Sequence, residues 1–199
     1  MEGRHYFTAN QDLPENRKEH TFLFETCRFR FVTDNGVFSK TQVDEGTMIL
    51  LESLRREALK GRILDLGCGY GPLAIVLKKF FPQATLMGAD VNPRAVALAE
   101  KNAEINDVAV TFRVSDAFAS IPETFDVIVT NPPIRAGKAV LYGMFAEAEK
   151  HLSDEGSLYV VIRKKQGAQS ALRFLNELFE NGTCLNRRRG YWVLKCTKH

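Results

Sequence analysis

Residues suited to metal or disulfide chemistry are sparse in this sequence. Its four cysteines, Cys27, Cys68, Cys184 and Cys196, form neither a CxxC nor any close pair, which argues against a zinc site or a disulfide framework. His5, His20, His151 and His199 are scattered and make no HExxH, so no metal site is expected. Long apolar runs are missing too. Met48–Leu51 and Leu73–Leu77 fall far short of the about 20 residues that cross a bilayer. The stretch "MEGRHYFTANQDLPENRK" is polar and lacks the apolar segment of a signal peptide. A cytoplasmic protein with no membrane partner is the expectation. One tryptophan stands against 14 phenylalanines, so aromatic core volume has to come from phenylalanine. The net charge of +3 is too small to define a nucleic-acid partner by itself.

With 45% hydrophobic and 26% charged residues over 199 positions, the chain can fill one sizeable core, and its length favours one domain over two. From Gly61 onward, short apolar strands alternate with helix-period segments. "RILDLG", "ATLMGAD", "VAVTFRV", "FDVIVT" and "GSLYVVI" read as strands; "GPLAIVLKKFF", "NPRAVALAEKNAEIN", "KAVLYGMFAEAEKHL" and "QSALRFLNELFENG" read as helices. Asn92 is placed as an N-cap with Pro93 at the first helical position, and Gly182 falls just past the last helix. "TCLNRRRGYWVLKCT" predicts a hairpin turning near Arg189-Gly190. This alternation predicts an α/β fold, a mostly parallel sheet covered on both faces with an antiparallel edge from the C-terminal hairpin. Before Gly61, "FLFETCRFRFVTDNGVFS" alternates aromatic and polar residues and predicts a hairpin turning at Asp34-Asn35-Gly36. "DEGTMILLESLRREALKG" predicts a helix ending at Gly61. The expectation is a single domain over residues 1–199, with 1–60 an extension packed on a catalytic core of 61–199.

"ILDLGCGYGPLAIVL" places Gly67, Gly69 and Gly71 between a strand and a helix. Three alternate glycines there allow a tight turn, a close ligand and a helix N-terminus aimed at it; a plain turn needs one. The next strand ends at Asp90, roughly the ~20 residues onward expected of an acid that grips ribose hydroxyls. Both NAD and S-adenosylmethionine suit such a turn. Asp65, two residues before the first glycine, repels a pyrophosphate and suits a cofactor with a cationic amino-acid end.

The acid followed by GxGxG after the first strand resembles the class I S-adenosylmethionine-dependent methyltransferases. "GVFSKTQVDEGTMILLE", "LDLGCGYGPLA" and "NPPIRAGK" together resemble the methyltransferase small domain group related to 16S rRNA guanine-N2 methyltransferases. Larger members of that group carry a degenerate methyltransferase domain in front, for which this chain is too short. The resemblance implies a Rossmann-like methyltransferase fold with a doubly wound, seven-stranded sheet and an N-terminal hairpin and helix. It implies S-adenosylmethionine as cofactor, with Asp65, Gly67, Cys68, Gly69 and Gly71 lining its methionine and ribose. Asp90 would take the ribose hydroxyls and Val91 the adenine face. Asp116 would accept from the adenine amine and Ala117 donate its N–H, although Asp116 is equally a solvated acid opening a loop. Phe38 and Ser39 would close over cofactor or substrate.

"DVIVTNPPIRAG" ends a strand in Asn131-Pro132-Pro133. An exocyclic amine delocalises its lone pair into the ring, and two acceptors pulling on its N–H groups hold it ready for methyl transfer. Asn131 offers a side-chain oxygen, Pro132 a carbonyl with no competing N–H, and Pro133 a stiff bend. These are the expected catalytic residues, with Asn131 bordering the cofactor as well. Aspartate at 131 is expected to be milder than alanine, since a carboxylate still accepts. Many relatives follow the second proline with an aromatic; here Ile134 stands, which can cover a base face but reduces stacking worth ~1–3 kcal/mol, and Phe38 or Tyr142 could supply a ring from elsewhere. Arg163-Lys164-Lys165 and Arg187-Arg188-Arg189 are either phosphate contacts or solvated faces. The function expected is methyl transfer to guanine N2 of ribosomal RNA. Another amine acceptor, adenine or a protein glutamine, and a non-catalytic cofactor-binding module remain as alternatives.

Overall fold

Strands that alternate with helices can bury both faces only in a sheet covered on either side. The structure, a computed structural model, describes residues 16–35, 43–132 and 137–199. Its main sheet contains β3 (Arg62–Leu66), β4 (Thr85–Asp90), β5 (Val110–Val114), β6 (Phe125–Thr130), β7 (Leu152–Arg163), β8 (Thr183–Arg188) and β9 (Tyr191–Thr197). The seven strands lie in the order β5-β4-β3-β6-β7-β9-β8. Neighbours from β5 to β7 pair in parallel, and β9 is antiparallel to both β7 and β8. The chain winds outward from β3 to β5, then returns to lay β6 beside β3. That reversal opens a crevice at the carboxyl ends of β3, β4 and β6.

The helices are α1 (Glu45–Leu54), α2 (Pro72–Phe80), α3 (Pro93–Ile105), α4 (Lys138–Lys150) and α5 (Ala168–Phe179). Side chains alternate across the strands and sort into two cores. Ile63, Val127, Val129 and Val161 pack on one face with Ile49, Leu50, Ile75 and Val96. Leu64, Ile128, Val160 and Ile162 pack on the other with Phe145, Ala171 and Leu175. No helix among the described residues is long and apolar enough to cross a membrane.

Three local expectations need correction. The N-terminal hairpin, β1 (Lys18–Phe24) and β2 (Cys27–Thr33), turns at Glu25-Thr26, where Glu25 takes a left-handed φ of 50°. Asp34 makes no hairpin turn. It is buried, accepts from Asn16 N and Asn35 N, and pairs with Arg94 Nη2 at 2.6 Å; Gly36 lies outside the described residues. Helix α1 stops at Leu54, not Gly61, as Glu57 is drawn to Lys195 Nζ and Tyr159 Oη at 2.6 and 2.8 Å. Gly61 serves a different end: a Cβ there would sit 2.0 Å from Asp126 Oδ2, the oxygen that accepts from Arg62 N. Helix α5 ends on left-handed Glu180 rather than on Gly182.

The phenylalanine-rich face of the hairpin (Phe22, Phe24, Phe29, Phe31) is buried, while the open edge of β2 is covered by α3. Asn102 Oδ1 accepts from Val32 N at 2.7 Å and Nδ2 donates to Val32 O at 3.0 Å and Tyr70 O at 2.9 Å. Asn106 repeats the pairing on Arg30, 3.0 and 2.7 Å. Replacing Asn102 by alanine strands three buried backbone groups. At about 1–3 kcal/mol for each unpaired buried group, Asn102→Ala should lose roughly 3 kcal/mol or more in urea unfolding. A loss under about 1 kcal/mol would show that the carboxamide is not the joint.

Candidate active site

The glycine turn links β3 to α2 at the mouth of the crevice. Gly67 N and Cys68 N both donate to Ala89 O, at 2.8 and 2.9 Å, stitching the turn to the end of β4. Gly67, Gly69 and Gly71 have left-handed φ values of 77°, 55° and 90°, which glycine adopts without strain. Their surroundings differ. A Cβ on Gly71 would meet Ala99, Ile75 and Phe112 within 3.1–3.2 Å, while nothing lies within 4 Å of one on Gly67 or Gly69. Gly71 therefore serves packing, and Gly67 and Gly69 leave an open cradle. Cys68 contributes backbone only, since its side chain is buried against Gly88.

Two carboxylates lie beneath and beside this cradle. Asp65 is buried and accepts from Ala74 N at 3.1 Å, fixing the first turn of α2. Burial and then the nearby Asp90 push its carboxyl from 3.8 up to about 8. Asp90 Oδ2 accepts from Gly69 N and Oδ1 from Asn92 N, both at 2.9 Å. Burial raises its pKa, opposed by the backbone donors Asn92, Gly69 and Val91. Asn92 caps α3 through Arg94 N, with Pro93 following as expected.

On the far side of β4, Ser115 N donates to Asp90 O at 2.9 Å. Ser115 Oγ donates to Ala117 O at 2.8 Å and accepts from Ser120 N at 3.0 Å. This bracing holds Ala117 at φ 47°, a left-handed backbone uncommon outside glycine. Asp116 is exposed beside it. The expected adenine-contacting pair is thus at the same crevice as Asp90.

Asn131 follows β6 directly. Thr130 Oγ1 donates to Leu66 O at 2.8 Å and locks the two strand ends in step. Asn131 Nδ2 donates to Asp44 Oδ1 and to Thr47 Oγ1, each at 3.0 Å, while Pro132 is buried. Asp44 is the N-cap of α1, accepting from Gly46 N and Thr47 N at 2.9 and 3.2 Å. Gly46 permits this approach: a Cβ there would lie 3.0 Å from Asp44 Oδ1, 3.1 Å from Tyr191 Cε1 and 3.3 Å from Asn131 Nδ2. Asp44, Gly46, Thr47, Thr130, Ser115 and Tyr191 were not anticipated from the sequence. The Asp-x-Gly-Thr start of α1 signals a cap, but nothing in it signals a partner 87 residues away. Pro133, Ile134, Phe38 and Ser39 lie outside the described residues.

Tyr142 is not free to stack on a base. Its ring stacks on Phe174 at 4.2 Å, and Lys138 Nζ sits 5.1 Å from its centroid. The two basic clusters do meet. Lys164 N donates to Gly190 O at 2.7 Å, and Arg163 lies over the Tyr191 ring at 4.8 Å. Arg163, Lys164 and Lys165 are exposed beside exposed Arg187, Arg188 and Arg189, at the same end of the sheet as Asn131. Arg188 pairs with Glu52 and Arg189 with Glu45, and Arg187 stacks on Trp192. No group of three or more His, Cys, Asp or Glu among the described residues is placed to hold a metal.

The strand order, the open glycine turn and an acid closing the next strand define a Rossmann-like methyltransferase that uses S-adenosylmethionine. The chain belongs to the methyltransferase small domain family, whose model matches residues 28–195. It is 41% identical over 199 residues to the Bacillus subtilis (strain 168) "Uncharacterized protein YbxB", covering 98% of this chain and 99% of that one. It is 37% identical over 130 residues to ribosomal RNA small subunit methyltransferase C of Actinobacillus succinogenes, covering 63% of this chain but 39% of that relative. The fold superposes with a TM-score of 0.84 and 28% identity on T. thermophilus 16S rRNA N2 methyltransferase RsmC, solved in complex with AdoMet and guanosine; the match covers 94% of this chain and 52% of that one. The residues present fit the cofactor. The space above Gly67 and Gly69 is clear, and Asp90 stands at its edge with backbone donors around it.

The buried Asp65 has a measurable signature. A folded-state pKa raised from 3.8 to about 8 means the native state keeps a proton that the unfolded state gives up. Its contribution therefore favours folding at low pH and is lost as pH rises across that window. Asp65→Asn keeps an acceptor for Ala74 N and removes the titration. Between about pH 5 and about pH 8, unfolding free energies should shift progressively in favour of the variant. A wild-type-to-variant difference that stays flat with pH would rule out the buried, proton-holding carboxyl.

Proposed function

We propose that this methyltransferase acts on an exocyclic amine of a nucleic-acid base, guanine N2 of ribosomal RNA. The observation that carries the proposal is the Asn131 carboxamide, whose nitrogen is held by Asp44 and Thr47 while its oxygen takes no donor among the described residues. That oxygen and the Pro132 carbonyl are the two acceptors an aromatic amine needs. The cofactor supplies an electrophilic methyl on a sulfonium. Transfer to the amine lone pair would form an N–C bond as that S–C bond broke, and the resulting ammonium would shed its proton to water. The acceptors orient the two N–H bonds and favour the growing positive charge, and no strong base is needed. Asp65, Asp90, Asp116 and the backbone of Gly67–Gly71, Val91 and Ala117 would hold the cofactor. Phe38, Ser39 and Ile134 belong to the proposed substrate side.

Two features favour RNA as the acceptor. Ribosomal RNA small subunit methyltransferase C and RsmC, both similar to this chain, are named as ribosomal RNA methyltransferases, and six exposed cations lie at the crevice end of the sheet, two of them paired with Glu45 and Glu52. The direct test maps methylated guanines in small-subunit rRNA from cells with and without the protein. One guanine should lose its N2 methyl in the deletion and regain it with wild type but not with Asn131→Ala. Purified Asn131→Ala should lose on the order of 10²–10³ in turnover with cofactor affinity nearly intact. Full turnover would make Asn-Pro-Pro a mere turn.

Neutralising Arg163, Lys164 and Lys165 should weaken RNA binding and flatten its salt dependence by about one slope unit for each phosphate that is no longer neutralised. An unchanged slope in filter binding would leave these residues as a solvated face.

A further inference from the structure

We infer that Asp44 and Thr47 are positioning residues that fix which way round the Asn131 carboxamide points. This rests on Asn131 holding the acceptor amine. A carboxamide has nearly the same shape when its nitrogen and oxygen exchange places, and only its partners set the direction. Here every donor direction descends from one carboxylate. Ionised Asp44 only accepts. The Thr47 hydroxyl donates to Asp44 Oδ2, so the Thr47 oxygen presents a lone pair, and that lone pair receives Asn131 Nδ2 at 3.0 Å. Asp44 Oδ1 receives the same nitrogen at 3.0 Å. Both amide hydrogens are thereby used, and a flipped amide would set its oxygen against two oxygens with no proton between them.

The arrangement exceeds what capping α1 requires. The cap is complete with Gly46 N and Thr47 N on Asp44 Oδ1, and the bonds to Asn131 join the start of α1 to the end of β6. The same geometry reverses the sequence-based expectation for aspartate at 131. A carboxylate there would stand about hydrogen-bond distance from that of Asp44, and like charges so close resist joint ionisation. Among the described residues, the other charged or titratable groups around the pair are Tyr70 in the glycine turn, Glu45 on α1, Arg163 at the end of β7 and Tyr191 on β9. Arg163 is exposed and lies over the Tyr191 ring while also feeling Glu45 and Asp44, so it offsets a second carboxylate only in part.

The test uses the full chain, tritiated S-adenosylmethionine and small-subunit rRNA from cells lacking the protein. Thr47→Val removes the hydroxyl and keeps the shape and the cap. It should lower kcat about 10-fold or more, as small misplacement at a reacting centre does, with KM for cofactor and RNA held within roughly 2-fold and Thr47→Ser restoring the rate. Asn131→Asp should be on the order of 10²-fold slower near neutral pH and recover as pH falls, because a protonated carboxyl donates to Asp44 and still offers a carbonyl. Without cofactor or RNA, NMR titration of Asn131→Asp should place the new carboxyl well above the ordinary value of about 4; this readout stands even if Thr47→Val fails to fold. An ordinary carboxyl pKa, or wild-type kcat in folded Thr47→Val, overturns the inference. If Asn131→Ala itself retains turnover, the role of Asn131 has failed; if that variant is dead while Thr47→Val and Asn131→Asp are fully active, only the polarity lock has.

Discussion

Two asparagine side chains, one helical turn apart, join the N-terminal hairpin to the α/β part of this protein. An open strand edge repeats its hydrogen-bonding residues every second position, about 6.8 Å, and a helix repeats a face every fourth, about 6.0 Å. Asn102 and Asn106 exploit that near-match to act as a short artificial strand along β2, pairing with Val32 and Arg30. An edge that is paired this way is no longer a template for other chains. Asn102 also holds Tyr70 O, so the hairpin, the glycine turn and α3 share one joint. The position of the cofactor cradle thus depends on a hairpin that takes no part in the main sheet.

The crevice concentrates acid in a way that needs support. Asp65 and Asp90 both lie close to the turn, and burial disfavours ionisation of each. The turn offsets this by aiming backbone N–H groups at Asp90 and the first turn of α2 at Asp65. Asp65 is the carboxyl that holds its proton near neutrality. A cationic group arriving beside it meets an acid prepared to ionise.

Local chemistry was legible in the sequence wherever a residue type answers to its own backbone. Gly67, Gly69 and Gly71, the Asn92-Pro93 helix start and the final hairpin at Arg189-Gly190 follow from dihedral preferences, and the structure places each there. Errors arose where a distant partner overrides a local signal. Asp34-Asn35 is a good turn sequence, yet Arg94, 60 positions away, takes the carboxylate. Gly61 reads as a helix stop but answers to Asp126 across the sheet. Tyr142 reads as a spare ring along the chain but is already stacked on Phe174. The Asp44–Asn131 contact is beyond any window along the chain, since it exists only after β6 has found β3 and α1 has crossed to meet them.

Helix α1 rests on β7, β8 and β9, and Glu45 meets Arg189 across 144 positions of chain. Synthesis is directional, so α1 leaves the ribosome long before the strands it rests on. At about 5–20 residues per second, the gap is on the order of 10–30 s. During that interval the side chains that later support Asn131 have no Tyr191 beside them, and Leu50 and Leu54, fully buried in the finished protein, lack part of their cover. The strand, turn and helix of the glycine cradle, residues 62–80, are all made before β6, whereas the helix that holds Asn131 rests on strands made last. The support of Asn131 is thus the last part of the site that synthesis can complete.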